Sequence, residues 1–139
     1  MKGKKIVSTL LVLLLLASLP VSAHAAVWDI GKGNITVNAG SGGQTVTQGD
    51  GAAVEDSAPV ITGSSTENTV TINAEANATA KVTLENVNID VSSKSEAAIT
   101  TQGQGDVTLN LSGNNSVQSG EYHAGVHKGN AGNLTVTTP

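Results

Sequence analysis

The side chains able to do chemistry in this sequence are eleven acids, seven lysines, three histidines, one tryptophan and one tyrosine. There is no arginine and no cysteine. Glycoside hydrolysis needs two carboxylates held about 5–9 Å apart. With so many acids a chance pair is easy to find, so their number argues for nothing by itself. Lyase chemistry on a uronate needs a base beside a calcium-bound substrate. Beyond the N-terminal segment the only bases of that kind are Lys32, Lys81, Lys94 and Lys128, which stand in unrelated contexts. The expectation is a chain that is not an enzyme.

Calcium is bound by about six to eight hard oxygens, drawn from carboxylates, amides and main-chain carbonyls. The candidates are Asp50 with Glu55 and Asp56, and Asp90 or Asp106 at turns. No acidic loop of the D-x-[DN]-x-[DN]-G type and no G-G-x-G-x-D nonapeptide occurs. The simpler account of each position is a solvated turn carboxylate bonded to its own backbone.

Sugar recognition asks for a flat ring to stack on and for amides and hydroxyls to meet the sugar hydroxyls. Trp28 and Tyr122 are the two rings, and Asn86, Asn88 and Asn110 are the candidate polar contacts. Trp28 stands so early that it could equally close the open end of a stack. Asn86, Asn88 and Asn110, with Asn73, Thr83 and Thr108, could equally form ladders that hold strands together. His123 and His127 are four apart, but in a turn leading into a short strand they read as solvated side chains rather than a zinc pair.

The elements that must position these groups are short strands. Met1–Ala25 stands apart: Lys2, Lys4 and Lys5 precede the apolar run Ile6–Leu19, Pro20 breaks it, and Ala23-His24-Ala25 is a small-x-small cleavage site. The run falls short of the about 20 residues a span needs. It reads as a secretory signal peptide, which places the protein outside the cell or on its surface. After its removal four lysines face all eleven acids, leaving seven net negative charges. An acidic surface without arginine is a poor match for nucleic acid. The lack of cysteine removes disulfides, thiolate metal sites and a lipid anchor together.

In the remaining chain, Val27–Ile30, Asn34–Asn38, Gln44–Gln48, Ala58–Gly63, Asn68–Asn73 and Lys81–Val91 read as strands between Gly, Asn and Ser turns. The C-terminal part is repetitive. Val82-Thr83-Leu84, Val107-Thr108-Leu109 and Leu134-Thr135-Val136 open successive units, the two complete ones being 25 and 27 residues long. Their second halves align as well, Ala97-Ala98-Ile99 against Ala124-Gly125-Val126. A period of this size, with short β-branched strands, predicts an all-β right-handed parallel β-helix over residues 26–139. A β-sandwich is the alternative. The third unit breaks off at Pro139, so the expectation is the N-terminal part of a longer solenoid, with an exposed last strand open to end-to-end self-association.

Three phrases carry a resemblance: Val27-Trp28-Asp29-Ile30-x-x-Gly33-Asn34-Ile35-Thr36, Val82-Thr83-Leu84-Glu85-Asn86-Val87-Asn88-Ile89, and Leu109-Asn110-Leu111-Ser112-Gly113-Asn114-Asn115-Ser116-Val117. They resemble the β-helical carbohydrate-binding domain-containing surface proteins of anaerobic, mainly Gram-positive, bacteria. That resemblance implies a pectate-lyase-like solenoid, calcium sites and binding to polysaccharides, acidic ones included. Two other functions fit the residues: a structural stalk or adhesin segment, and the remnant of a polysaccharide lyase.

Overall fold

The computed structural model describes residues 25–139. The secretory segment therefore lies, except for Ala25, outside the described residues. In chain order the strands are β1 (Val27–Asp29), β2 (Ile35–Gly40), β3 (Gly43–Gln48), β4 (Val54–Glu55), β5 (Val60–Ser65) and β6 (Val70–Ala74). They continue with β7 (Thr79–Asp90), β8 (Ile99–Gly103), β9 (Asp106–Ser112), β10 (Ser116–Gln118), β11 (Val126–Lys128) and β12 (Leu134–Thr137). Helix is confined, among the described residues, to the 3₁₀ turn Ile30–Lys32. None of it is long and apolar enough to cross a membrane.

The protein is all-β, in two six-stranded sheets. The first runs β1-β5-β7-β9-β12, with β10 also paired to β7; the second runs β11-β8-β6-β2-β3-β4. From β5 onward successive strands fall in alternate sheets except β9 and β10, which share the first sheet, and every pair formed among them is parallel. Eight strand pairs are parallel.

Two pairs are not. β2–β3 and β3–β4 are antiparallel, against the expectation of parallel stacking throughout. The reason is local: only Ser41 and Gly42 separate β2 from β3. Between neighbours in one sheet a two-residue connection can only reverse the strand; a parallel neighbour needs a far longer crossover.

The core lies between the sheets and is aliphatic, as alternation predicts. Ile35, Val37, Val46, Val70, Ile72 and Ile99 face inward from one sheet, and Ile61, Val82, Leu84, Val87, Ile89, Val107 and Leu109 from the other. Inward neighbours on adjacent strands pair directly, as in Ile35↔Val70 and Val70↔Ile99. At about 25 cal/mol per Å² this stacked burial is the main stabilising term in a chain without disulfides.

The repeat is set differently from the sequence alignment at one pair. Leu134 pairs with Val107, and Val126 with Ile99, as the units predict. Val107, however, pairs with Ala80, and Leu109 with Val82. The first unit is thus displaced by two residues, and every aligned pair has the same 27-residue separation. A two-residue slip keeps every side chain on its own face, so hydrophobic pattern alone does not forbid it.

β7 bends at Asn86, which has φ +53°. Inward positions before it are Ala80, Val82 and Leu84; after it they are Val87 and Ile89, so the alternation skips one residue there. Gly63 and Gly113 occupy the same corner on the neighbouring strands with φ +90° and +68°. A Cβ at Gly63 would meet the Asp29 carboxylate, and one at Gly113 the Asn86 amide. The turn therefore needs left-handed backbone and no side chain at both positions.

Candidate functional site

The end of β5 with the loop that follows it, and the end of β7, enclose an open polar groove of about 400 Å³. Its walls are Ser64, Ser65, Thr66, Glu67 and Asn68 on one side and Asn88 and Asp90 on the other, with Gly31 at one end. Ser64 and Asn88 are register partners on adjacent parallel strands, so their outward side chains sit about 5 Å apart. Inward Val87 and Ile89 lock that register from the core side.

Each wall is held by local hydrogen bonds. Ser65 Oγ accepts from the amides of Glu67 and Asn68 at 3.1 and 2.8 Å, closing the loop after β5. Asn68 Nδ2 donates to the Ile30 carbonyl at 2.9 Å and ties that loop to Gly31. Asp90 accepts from the Ser92 amide at 3.0 Å. The Ser92 side chain and then its amide hold the Asp90 carboxyl below the usual carboxylate range. Asp90 is thus a charged acceptor at neutral pH and a poor proton donor.

The loops stack in order. Lys94, in the loop after β7, donates from Nζ to the Glu67 carbonyl at 3.1 Å and lies 4.0 Å from Glu96. Gly120, in the loop after β10, donates to the Glu96 carbonyl at 3.0 Å. A Cβ at Gly120 would strike the Lys94 carbonyl, so the two loops touch backbone to backbone. Tyr122 stands at the tip of that third loop, fully exposed and with φ +66°. A bulky residue in left-handed backbone is strained, and here the strain presents a bare ring in the loop after β10, the strand paired with the β7 wall of the groove.

Of the residues singled out from sequence, Asn88 and Asp90 come together and Tyr122 lies along the same row of loops. The others are elsewhere. Asn86 is the bend of β7, accepting from the Asn114 amide at 3.0 Å. Asn110 lies on the outer face of the first sheet between Thr83 and Thr137, whose hydroxyl it accepts. Trp28 packs partly against the core and donates from Nε1 to Asp56 at 2.8 Å.

The five candidate calcium ligands do not converge. Asp106 pairs with Thr79 at the start of β7, whereas Asp90 ends the same strand. Asp106 accepts from the Asn133 amide at 2.8 Å. Glu55 is exposed and its neighbour Asp56 is buried, so adjacent carboxylates point to opposite sides. Asp50 is exposed in the turn after β3. Among the described residues no group of three acids or histidines is placed to hold a metal ion. His127 is on an outer row beside Thr100, and His123 is in the Tyr122 loop.

Sequence reasoning missed Ser64, Glu67, Asn68 and Lys94. The available signal was Ser65-x-Glu67-Asn68, a serine able to cap its own loop, two strands before Asn88 in the chain. Only the pairing register places the two together. The chain matches no family model, no curated protein and no solved structure.

Proposed function

We propose that this is a secreted or cell-surface binding module for polysaccharide, non-catalytic, built as a right-handed parallel β-solenoid. The solenoid reading is supported by the passage of the chain back and forth between two sheets, by parallel pairing from β5 onward and by the shared 27-residue separation in the β7–β9, β8–β11 and β9–β12 pairs. Antiparallel sandwiches do not pair this way.

The single observation that carries the function is the groove between Ser64–Asn68 and Asn88–Asp90. It is open, polar and lined by hydroxyls, amides and two carboxylates, the complement of a sugar's hydroxyl edge. Tyr122, displaced along the stacked loops, offers the ring for a second sugar of the same chain. A linear glycan lying across the loops would contact both. Asp90, ionised and firmly bonded to Ser92, suits an acceptor of sugar hydroxyls and not a general acid. With the acids dispersed, calcium is left as a condition of the experiment.

The test is binding of residues 26–139 to plant and microbial polysaccharides, with calcium and with chelator. Retention on one glycan class that Asn88→Ala weakens supports the reading. A folded protein retained by none removes it, and a stalk segment becomes the better account.

A further inference from the structure

Asp56 is the one buried carboxylate among the described residues, 1% exposed. It follows β4 and turns inward under Trp28. Oδ2 accepts from Trp28 Nε1 at 2.8 Å and from the Ala26 amide at 3.2 Å. Oδ1 accepts from the Ala58 amide at 3.1 Å. No basic side chain neutralises it: the only ion pair among the described residues joins Lys94 to Glu96. A carboxylate taken out of water without a counter-charge is costly, even when fully hydrogen-bonded.

The group that faces Asp56 is the nitrogen of Ala26, and Ala26 is the residue that follows Ala23-His24-Ala25. Ala26 is held in place independently, its carbonyl accepting from the Val60 amide at 2.9 Å. Ala25 is exposed. We infer that the chain is processed between Ala25 and Ala26, and that the ammonium so created is the counter-ion of Asp56. The inference rests on the secretory reading and is independent of the glycan reading.

The chemistry is hydrolysis by a signal peptidase. Water adds across the peptide bond, its hydroxyl going to the Ala25 carbonyl carbon and a proton to the Ala26 nitrogen. Ala25 leaves as a carboxylate, and the Ala26 amine takes up a further proton at neutral pH. A neutral N–H donor 3.2 Å from Asp56 becomes a charged donor with three hydrogens at the same place. Charge-assisted bonds are roughly twice as strong as neutral ones. Processing therefore completes the N-terminal end of the fold: the precursor buries an uncompensated carboxylate, and in the mature chain a half-buried ammonium faces it.

The experiment has two stages. The full chain is expressed in a secreting bacterial host, and the exported product is examined by intact mass and N-terminal sequencing. Ala26 is the expected first residue; any other start overturns the inference. Three forms of residues 26–139 are then compared by urea unfolding: the free amine, the N-acetylated chain, and a chain with one glycine added before Ala26. Acetylation restores the neutral amide of the precursor, and the glycine moves the charge one residue away. Each is expected to lower the folding equilibrium constant about tenfold. In Asp56→Asn the three forms are expected to be equal. Equal stability of the three forms with Asp56 present overturns the ion pair, and that comparison stands whether or not Asp56→Asn folds.

Discussion

The side-chain amide of Asn86 occupies the space that a Cβ at Gly113 would need. The two residues stack at one corner on adjacent strands, both with left-handed backbone, at φ +53° and +68°. The Asn86 oxygen also accepts from the Asn114 amide at 3.0 Å, so the asparagine of one strand caps the turn of the next.

Gly113→Ala should therefore be among the more damaging single-methyl additions in the chain. It pairs an unfavourable φ with a collision against Asn86, and a loss of about 1–3 kcal/mol is expected by urea unfolding. Asn86→Gly removes the collision and keeps the left-handed turn, losing one hydrogen bond worth about 1 kcal/mol. In the double variant Gly113→Ala should cost less than it does alone, because the amide is no longer in the way.

A second prediction concerns the buried polar pair Thr101 and Asn130. Thr101 continues the inward row of Val37 and Ile72, where an aliphatic residue would be expected. Its hydroxyl donates to Asn130 Oδ1 at 2.7 Å, and Asn130 Nδ2 donates to the carbonyls of Gly105 and Asn133 at 3.0 and 3.1 Å. Asn130→Ala takes the partner from the Thr101 hydroxyl and the side-chain donor from the Gly105 carbonyl, while the Asn133 carbonyl keeps the Val107 amide at 2.8 Å, for an expected loss of about 2–3 kcal/mol. Thr101→Val leaves only the Asn130 oxygen short and should cost about 1 kcal/mol. Thermal unfolding of both singles and the double should give less than the sum, since the two changes break one shared bond.

These examples mark what was legible in the sequence. Alternating Ile35, Val37 and Ala39, or Val82 and Leu84, report a strand and its inner face because side-chain direction follows a two-residue period. The same rule is blind to a slip of two, which is why Val107 aligns by eye with Val82 and pairs in fact with Ala80. The hairpin at Ser41-Gly42 was written in its length, and parallel stacking there was the wrong expectation for a two-residue connection. The groove was half legible. Asn88 and Asp90 stand out as polar residues at a strand end, but Ser64 and Glu67 join them only through a register that includes an irregularity between Ile61 and Gly63. Thr101 reads as an ordinary surface threonine until its partner, about thirty residues later, is known.

The glycan reading makes a prediction that separates sites on one surface. Asn88→Ala and Ser64→Ala each remove a hydrogen-bonding group from the groove and should weaken polysaccharide binding about three- to tenfold. Tyr122→Ala should weaken it about tenfold if the ring stacks on the same glycan. Because Tyr122 is fully exposed, its loss should leave the unfolding midpoint unchanged or raise it. Asn110→Ala, on the outer face of the first sheet, should bind as the native chain does. Affinity electrophoresis in a gel containing the glycan reads all four together, and an Asn110→Ala defect equal to that of Asn88→Ala would point to the wrong face.

The last prediction follows from Asp90. Its carboxyl is held below the ordinary value of 3.8 by the Ser92 side chain first and the Ser92 amide second, with burial opposing only weakly. A group whose folded pKa is depressed adds stability that is complete above its unfolded pKa. That contribution is lost as pH falls through the folded pKa. The window therefore lies in the acid range below about 4. Between pH 5 and 8 the carboxylate stays charged, and binding that uses it should be flat across that range. Ser92→Ala removes the larger of the two bonds and should move the Asp90 titration upward while the groove keeps its shape. Carboxyl-detected NMR of the native chain and of Ser92→Ala measures this directly. An unchanged Asp90 titration would mean that the amide alone sets its charge. A glycan affinity that fell between pH 8 and 5 in the native chain would show that a group other than Asp90 governs binding.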